Sequence, residues 1–137
     1  GDLFLVDYKT GSEKNSFSRV EDLFDPQLSA KNGDAFQILC YVFLYGQTFT
    51  SDGLPLPLLY YMNSPFSRKT TGKIRYNRAN LNNRQDLAEI EEQFLALLSN
   101  LLEELFNFNI PFKQTDFVDN CVQCPFISIC QREKYND

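Results

Sequence analysis

Histidine is missing from all 137 residues. Its absence excludes a self-contained Ser–His or Cys–His nucleophile and any zinc site built on imidazole. Acid–base or metal chemistry in this chain must therefore run on carboxylates, lysine, tyrosine or cysteine. Long apolar runs are missing as well; none reaches the roughly 20 residues that a membrane-spanning helix needs. No charged segment followed by an apolar one opens the chain, so there is no signal-peptide pattern and a cytoplasmic location is expected. Gly1 leads straight into a strand-like segment, which predicts a piece excised from a larger protein. Bases are missing between residues 86 and 104, where six acids stand: Asp86, Glu89, Glu91, Glu92, Glu103 and Glu104. The formal charge of −5 is therefore a poor guide, because elsewhere 13 bases face 12 acids. Residues 67–78 hold Arg68, Lys69, Lys73, Arg75 and Arg78 with no acid among them. That stretch is either a contact for a DNA backbone or a solvated hairpin or loop.

What the chain does have is a hydrophobic content of 43% with thirteen phenylalanines, enough for the core of one domain. Residues 3–8 predict a central strand, apolar on both faces and hence buried. Residues 10–22 read as a connection with a short second strand near Phe17, and Val20 to Phe24 as a helical turn before Pro26. Asn32-Gly33-Asp34 predicts a helix start capped by Asn32 or Asp34. The helix over 34–46 is apolar nearly all round and should be buried. A loop is expected over 47–57, and a strand from Leu58 to Met62. Lys73 to Tyr76 alternate as a partner of that strand or an edge strand would. Residues 84–106 form the clearest helix, with Leu87, Ile90, Phe94, Leu97, Leu98, Leu101, Leu102 and Leu105 at helical spacing. A short strand near Phe112 follows. This order predicts an α/β core, a small mixed sheet flanked by helices. The sheet looks incomplete on its N-terminal side. Residues 1–118 form the core, and residues 119–137 a cysteine-bearing tail of the same domain.

Three short patterns carry chemistry. In Leu5-Val6-Asp7-Tyr8-Lys9-Thr10-Gly11, strand alternation puts Asp7 and Lys9 on one face. Alone, the pair reads most simply as a surface ion pair at a strand end. It also suits a divalent cation beside a phosphate, although such cations usually need more than one carboxylate. Gln37 and Tyr41 stand at i and i+4 on the buried helix. They are either two satisfied core hydrogen bonds or an amide and a phenol sharing one partner. Cys121-x2-Cys124-x5-Cys130 is a compact thiolate cluster whose spacing favours zinc or an iron–sulfur centre over free thiols or a disulfide. Cys40, beside Tyr41 in the helix, reads as a core thiol and not a ligand.

Taken in order, these patterns resemble the RecB-like branch of the PD-(D/E)XK nuclease superfamily. The likeness is to AddB-type subunits and CRISPR-associated RecB-like exonucleases with a C-terminal iron–sulfur cysteine cluster, and it covers residues 2 to about 132. The resemblance implies a restriction-endonuclease-like core and Mg2+- or Mn2+-dependent cleavage of DNA in a repair or recombination protein, in company with a helicase domain or subunit. It implies that Asp7 ligates metal, that Tyr8 lends its backbone carbonyl to it, and that Lys9 is the catalytic lysine. Gln37 and Tyr41 would help to organise the active site and engage the DNA strand. Cys121, Cys124 and Cys130 would be three of four ligands of a [4Fe–4S] cluster, with zinc as the alternative. The family's second acidic ligand and fourth cysteine lie upstream in its pattern, so residues 1–137 alone are expected to be inert or nearly so. Two other classes stay open: a degenerate nuclease fold that only grips DNA or a helicase, and a small zinc-binding interaction domain.

Overall fold

A computed structural model describes residues 2–49, 53–62, 72–122 and 124–132 of the chain. β1 (Phe4–Lys9) pairs in parallel with β3 (Leu56–Tyr61), from Phe4 opposite Leu56 to Lys9 opposite Tyr61. A parallel pair requires a crossover. α1 (Ser29–Thr48) lies in that crossover and packs on both strands. Along β1 the side chains alternate. Leu5, Asp7 and Lys9 are half-buried towards α1, while Phe4, Val6 and Tyr8 are exposed. The expectation of a strand buried on both faces is thereby corrected. The outer apolar residues make contacts within their own face instead; the Tyr8 and Tyr60 rings lie 5.5 Å apart across the pair.

α1 is also less buried than its composition suggests. Ala35, Ile38, Leu39, Val42 and Phe43 form its buried stripe, whereas Gln37, Tyr41 and Leu44 are exposed. Neither Asn32 nor Asp34 caps it, since the helix begins earlier, at Ser29. Asn32 is buried and donates Nδ2 to the carbonyl of Asp22 at 2.9 Å. This ties the helix to the 3-10 turn Val20–Leu23, where a helical turn was expected. The loop expected over 47–57 is shortened at both ends by α1 and β3, and its residues 50–52 lie outside the described residues.

A second sheet contains β2 (Ser16–Phe17), β4 (Arg75–Tyr76) and β5 (Ala79–Asn80). β4 runs parallel to β2 and antiparallel to β5, so the segment from Lys73 to Tyr76 is not a ladder partner of β3. The segment that leads into β4 is tied to β3 at Leu59, whose N–H bonds the carbonyl of Gly72 at 2.7 Å. Gly72 has φ +65, and a Cβ there would collide with the Leu59 carbonyl, so only glycine fits.

α2 (Arg84–Leu105) opens on a reciprocal cap. Asp86 N–H bonds Asn83 Oδ1 at 2.9 Å, and Asp86 Oδ2 accepts from the N–H of Asn82 at 2.8 Å. Leu87, Ile90 and Phe94 are buried; the Phe94 ring meets Phe43 at 5.1 Å, Phe24 at 5.2 Å and Phe36 at 5.9 Å. The later leucines of the stripe, Leu101, Leu102 and Leu105, are exposed. No helix among the described residues is long and apolar enough to cross a membrane.

The chain divides into two compact units, Gly1–Leu102 and Glu103–Asp137. The first holds both sheets and the core. In the second, Phe112 is exposed and belongs to no strand, contrary to expectation. A 3-10 turn spans Val118–Cys121, and successive tight turns follow from Cys124 to Arg132. Arg132 Nη1 donates to the Thr115 carbonyl at 2.5 Å and to Cys121 Sγ at 3.5 Å.

Candidate active site

β1 ends in a carboxylate and an ammonium on the same inward face, and α1 lays three polar side chains against them. Asp34, Gln37 and Tyr41 stand at i, i+3 and i+7, one face of the helix. Lys9 Nζ lies 3.0 Å from Asp7 Oδ2 and 3.5 Å from Asp34 Oδ1, and it donates a hydrogen bond to Gln37 Oε1. Gln37 Nε2 then donates to the Tyr41 hydroxyl at 2.7 Å. The amide orientation follows from its neighbours: an ammonium has no acceptor, so the carbonyl oxygen of Gln37 must face Lys9. Tyr41 accepts from Gln37 and keeps its own proton to donate, on a side chain 44% exposed.

Behind this row Tyr61 OH donates to Asp34 Oδ2 at 2.9 Å and accepts from the Lys14 N–H at 3.0 Å. The register of β3 explains it, because Tyr61 lies opposite Lys9 in the parallel pair. Burial pushes the Tyr61 phenol well above its ordinary range, and donation to the Asp34 carboxylate adds to this. Burial by itself would lower Lys9, but the attraction of Asp7 and Asp34 outweighs it and leaves the ammonium above its ordinary value. Lys9 thus holds its proton at neutral pH. In that form it donates hydrogen bonds and offsets negative charge.

Asp7 Oδ2 is buried and accepts no hydrogen bond, its contact with Lys9 being one of charge at 3.0 Å without hydrogen-bond angles. The Lys9 ammonium offsets the charge of this oxygen but leaves it without a well-aligned donor. The oxygen is also a hard ligand with a lone pair available, so the residue fits a divalent cation. Asp34 is the nearer candidate for a positioning role, because both its oxygens already face Tyr61 and Lys9. Tyr8 lies between Asp7 and Lys9 with its ring on the opposite, exposed face. Among the described residues, no group of three His, Cys, Asp or Glu side chains is gathered closely enough to hold a metal ion.

The other expected site residues are placed as follows. Arg68 and Lys69 lie outside the described residues. Lys73 Nζ is turned to Asn82 Oδ1 at 2.8 Å. Arg75 and Arg78 are exposed and line a cavity with Lys31, and none of Asp7, Lys9, Gln37 and Tyr41 is part of its lining. Cys121, Cys124 and Cys130 are free thiols, the first buried and the others half-buried, and they are not drawn into one site. Burial pushes the Cys40 thiol up to about 11, in keeping with a core position. Sequence reasoning passed over Asp34 as a helix cap, and it passed over Tyr61. The i, i+3, i+7 spacing of Asp34, Gln37 and Tyr41 was the available signal for the first; nothing local marks the second.

No curated protein and no solved structure shows significant similarity to the chain. The family model of the PD-(D/E)XK nuclease superfamily, however, matches residues 1–131. The matched span takes in the whole of the Asp7–Lys9–Gln37–Tyr41 row, and the chain belongs to the PD-(D/E)XK nuclease superfamily.

Proposed function

We propose that this chain carries the catalytic centre of a metal-dependent deoxyribonuclease of the RecB-like branch. It acts as an exonuclease in DNA repair or recombination, in the cytoplasm and beside a helicase domain or subunit. The observation that carries this reading is the convergence of Asp7 and Lys9 from β1 with Gln37 and Tyr41 from α1 in one hydrogen-bonded row.

When bound, Mg2+ or Mn2+ supplies a Lewis acid for the phosphate and lowers the pKa of an attacking water. Asp7 would hold the cation through its carboxylate, and Tyr8 would lend its backbone carbonyl. Lys9 donates to the water or to a phosphate oxygen and offsets the charge that develops there. Gln37 aims Lys9, and Tyr41 offers its free proton to the DNA strand. Asp34 and Tyr61 hold Lys9 from behind. Divalent cations of this kind are usually held by more than one carboxylate. Cys121, Cys124 and Cys130, separate thiols in this structure, would have to be drawn together with one further ligand to hold a [4Fe–4S] cluster or zinc. A silent fold that only grips DNA would be free to lose members of the row, and all four are present.

The test is Mg2+- or Mn2+-dependent DNA cleavage by the intact protein, with wild type beside Asp7→Ala and Lys9→Ala. Each substitution is expected to lower the rate by about 10²-fold or more. Equal rates in all three would sink the assignment.

A further inference from the structure

We infer that the cavity between β2, β4 and the first turn of α1 is a second phosphate subsite, which grips a backbone phosphate of the nucleic acid apart from the bond that is cut. The identity of the ligand as nucleic acid rests on the nuclease reading above. The cavity has a volume of about 460 Å³, and Lys31, Arg75, Arg78, Ser16 and Ser18 are among the residues that line it. Among the described residues its only carboxylate is Asp22, which is already engaged. Arg19 reaches Asp22 Oδ1 through Nη2 at 2.8 Å and Nε at 3.1 Å, and its backbone N–H bonds Oδ2 at 3.0 Å. Among the described residues no carboxylate lies within ion-pair distance of Lys31, Arg75 or Arg78. Three like charges around one cavity repel each other unless an anion lies between them. Guanidinium groups and hydroxyls are the donors that suit phosphate oxygens.

Two of the three cations are also placed against local preference. Asn77 (φ 46) and Arg78 (φ 68) form the two-residue turn between β4 and β5. Both central residues are left-handed, a turn whose second position favours glycine. Arginine there is disfavoured by its β-carbon, yet it carries its guanidinium to the cavity wall. Lys31 sits in the first turn of α1, at the positive end of the helix dipole, where acids are preferred and none is present. Local conflicts of this kind tend to mark functional positions.

The cavity is also linked to the catalytic row. Ser16 is paired with Arg75, and the Arg75 N–H bonds the Asn15 carbonyl at 2.9 Å. One residue earlier, the Lys14 N–H holds Tyr61 OH. α1 likewise offers Lys31 to the cavity and Asp34 and Gln37 to the row. A strand bound along this path would meet both.

The test is binding of a short labelled single-stranded oligodeoxynucleotide, in EDTA so that nothing is cut, across a salt series. The slope of log affinity against log salt should become shallower by about 0.7 for each phosphate that is no longer gripped. Lys31→Ala and Arg78→Gly should each weaken binding, and Arg75→Ala/Arg78→Ala, which strips both guanidinium groups from the subsite, should lose the single increment that its one phosphate contributes. Arg78→Gly should also raise the melting temperature while it weakens binding, a combination that a merely structural arginine would not give. Inorganic phosphate is titrated separately; a tighter hold on it than on the oligonucleotide would make free phosphate the occupant and overturn the assignment. Wild-type binding that is absent, or slopes unchanged in every variant, would overturn the subsite. Because binding is read without cleavage, the two readings fail separately. An intact protein that does not cut, with slopes that still shift, removes the nuclease and leaves the subsite.

Discussion

Lys9 Nζ donates a hydrogen bond to Gln37 Oε1, and this single contact joins the motif on β1 to the motif on α1. It fixes the direction of every hydrogen bond beyond it. Gln37 must present its NH2 to Tyr41, and Tyr41 must accept, which leaves the phenolic proton for a ligand.

Gln37→Ala should therefore slow DNA cleavage by the intact protein about tenfold, the worth of one hydrogen bond of roughly 1.4 kcal/mol. Asp7 and Asp34 still hold the ammonium in that variant, so the loss should be smaller than in Lys9→Ala. Single-turnover rates of the two variants, measured side by side, check the order.

Tyr61→Phe removes the donor to Asp34 and the acceptor for the Lys14 N–H, with no change of shape in the core. The groups left unpaired should cost about 1–3 kcal/mol of stability. Asp34→Asn keeps an acceptor for Tyr61 but removes one of the two charges facing Lys9. It should leave the melting temperature closer to wild type while lowering the cleavage rate. Denaturant melts of both variants, with rates alongside, separate the two effects.

Stability should fall in alkali. The Cys40 thiol titrates at about 11 in the folded chain against an ordinary 9.0, so the fold holds this proton more tightly than the unfolded chain does. That contribution is complete below pH 9.0 and is lost as the pH rises through about 11. Tyr61, raised further, extends the decline. Melts from about pH 8 upward should show a shallower fall for Cys40→Ala than for wild type in this window; identical curves would falsify the assignment.

An anaerobic preparation of the intact protein should be brown, with charge-transfer absorbance, if Cys121, Cys124 and Cys130 help to hold an iron–sulfur cluster. Cys124→Ser should bleach it. A colourless preparation with stoichiometric zinc would instead assign the tail to zinc.

Much of the fold is legible in the sequence where one residue's neighbours decide the outcome. Alternation at Leu5, Asp7 and Lys9 fixes a shared face, and helical spacing at Leu87, Ile90 and Phe94 fixes a buried stripe. The contents of the catalytic row are legible in the same way. The start of α1 is not, because Asn32-Gly33-Asp34 has the composition of a cap. Tertiary contact takes Asn32 for the Asp22 carbonyl instead, and that choice moves Asp34 inside the helix, one turn from Gln37. The exposed outer face of β1 is hidden too, because apolar residues such as Phe4 and Val6 carry no label saying whether anything covers them.

By itself, then, the sequence determined which side chains share a face, since covalent geometry sets the periods of strand and helix. It could not say which faces meet. The parallel register that brings Tyr61 opposite Lys9, the reach of Asp34 to both, and the meeting of Lys31 with Arg75 and Arg78 around one cavity join residues far apart in the chain. Such pairings follow from how whole elements pack, and only the tertiary structure decided them.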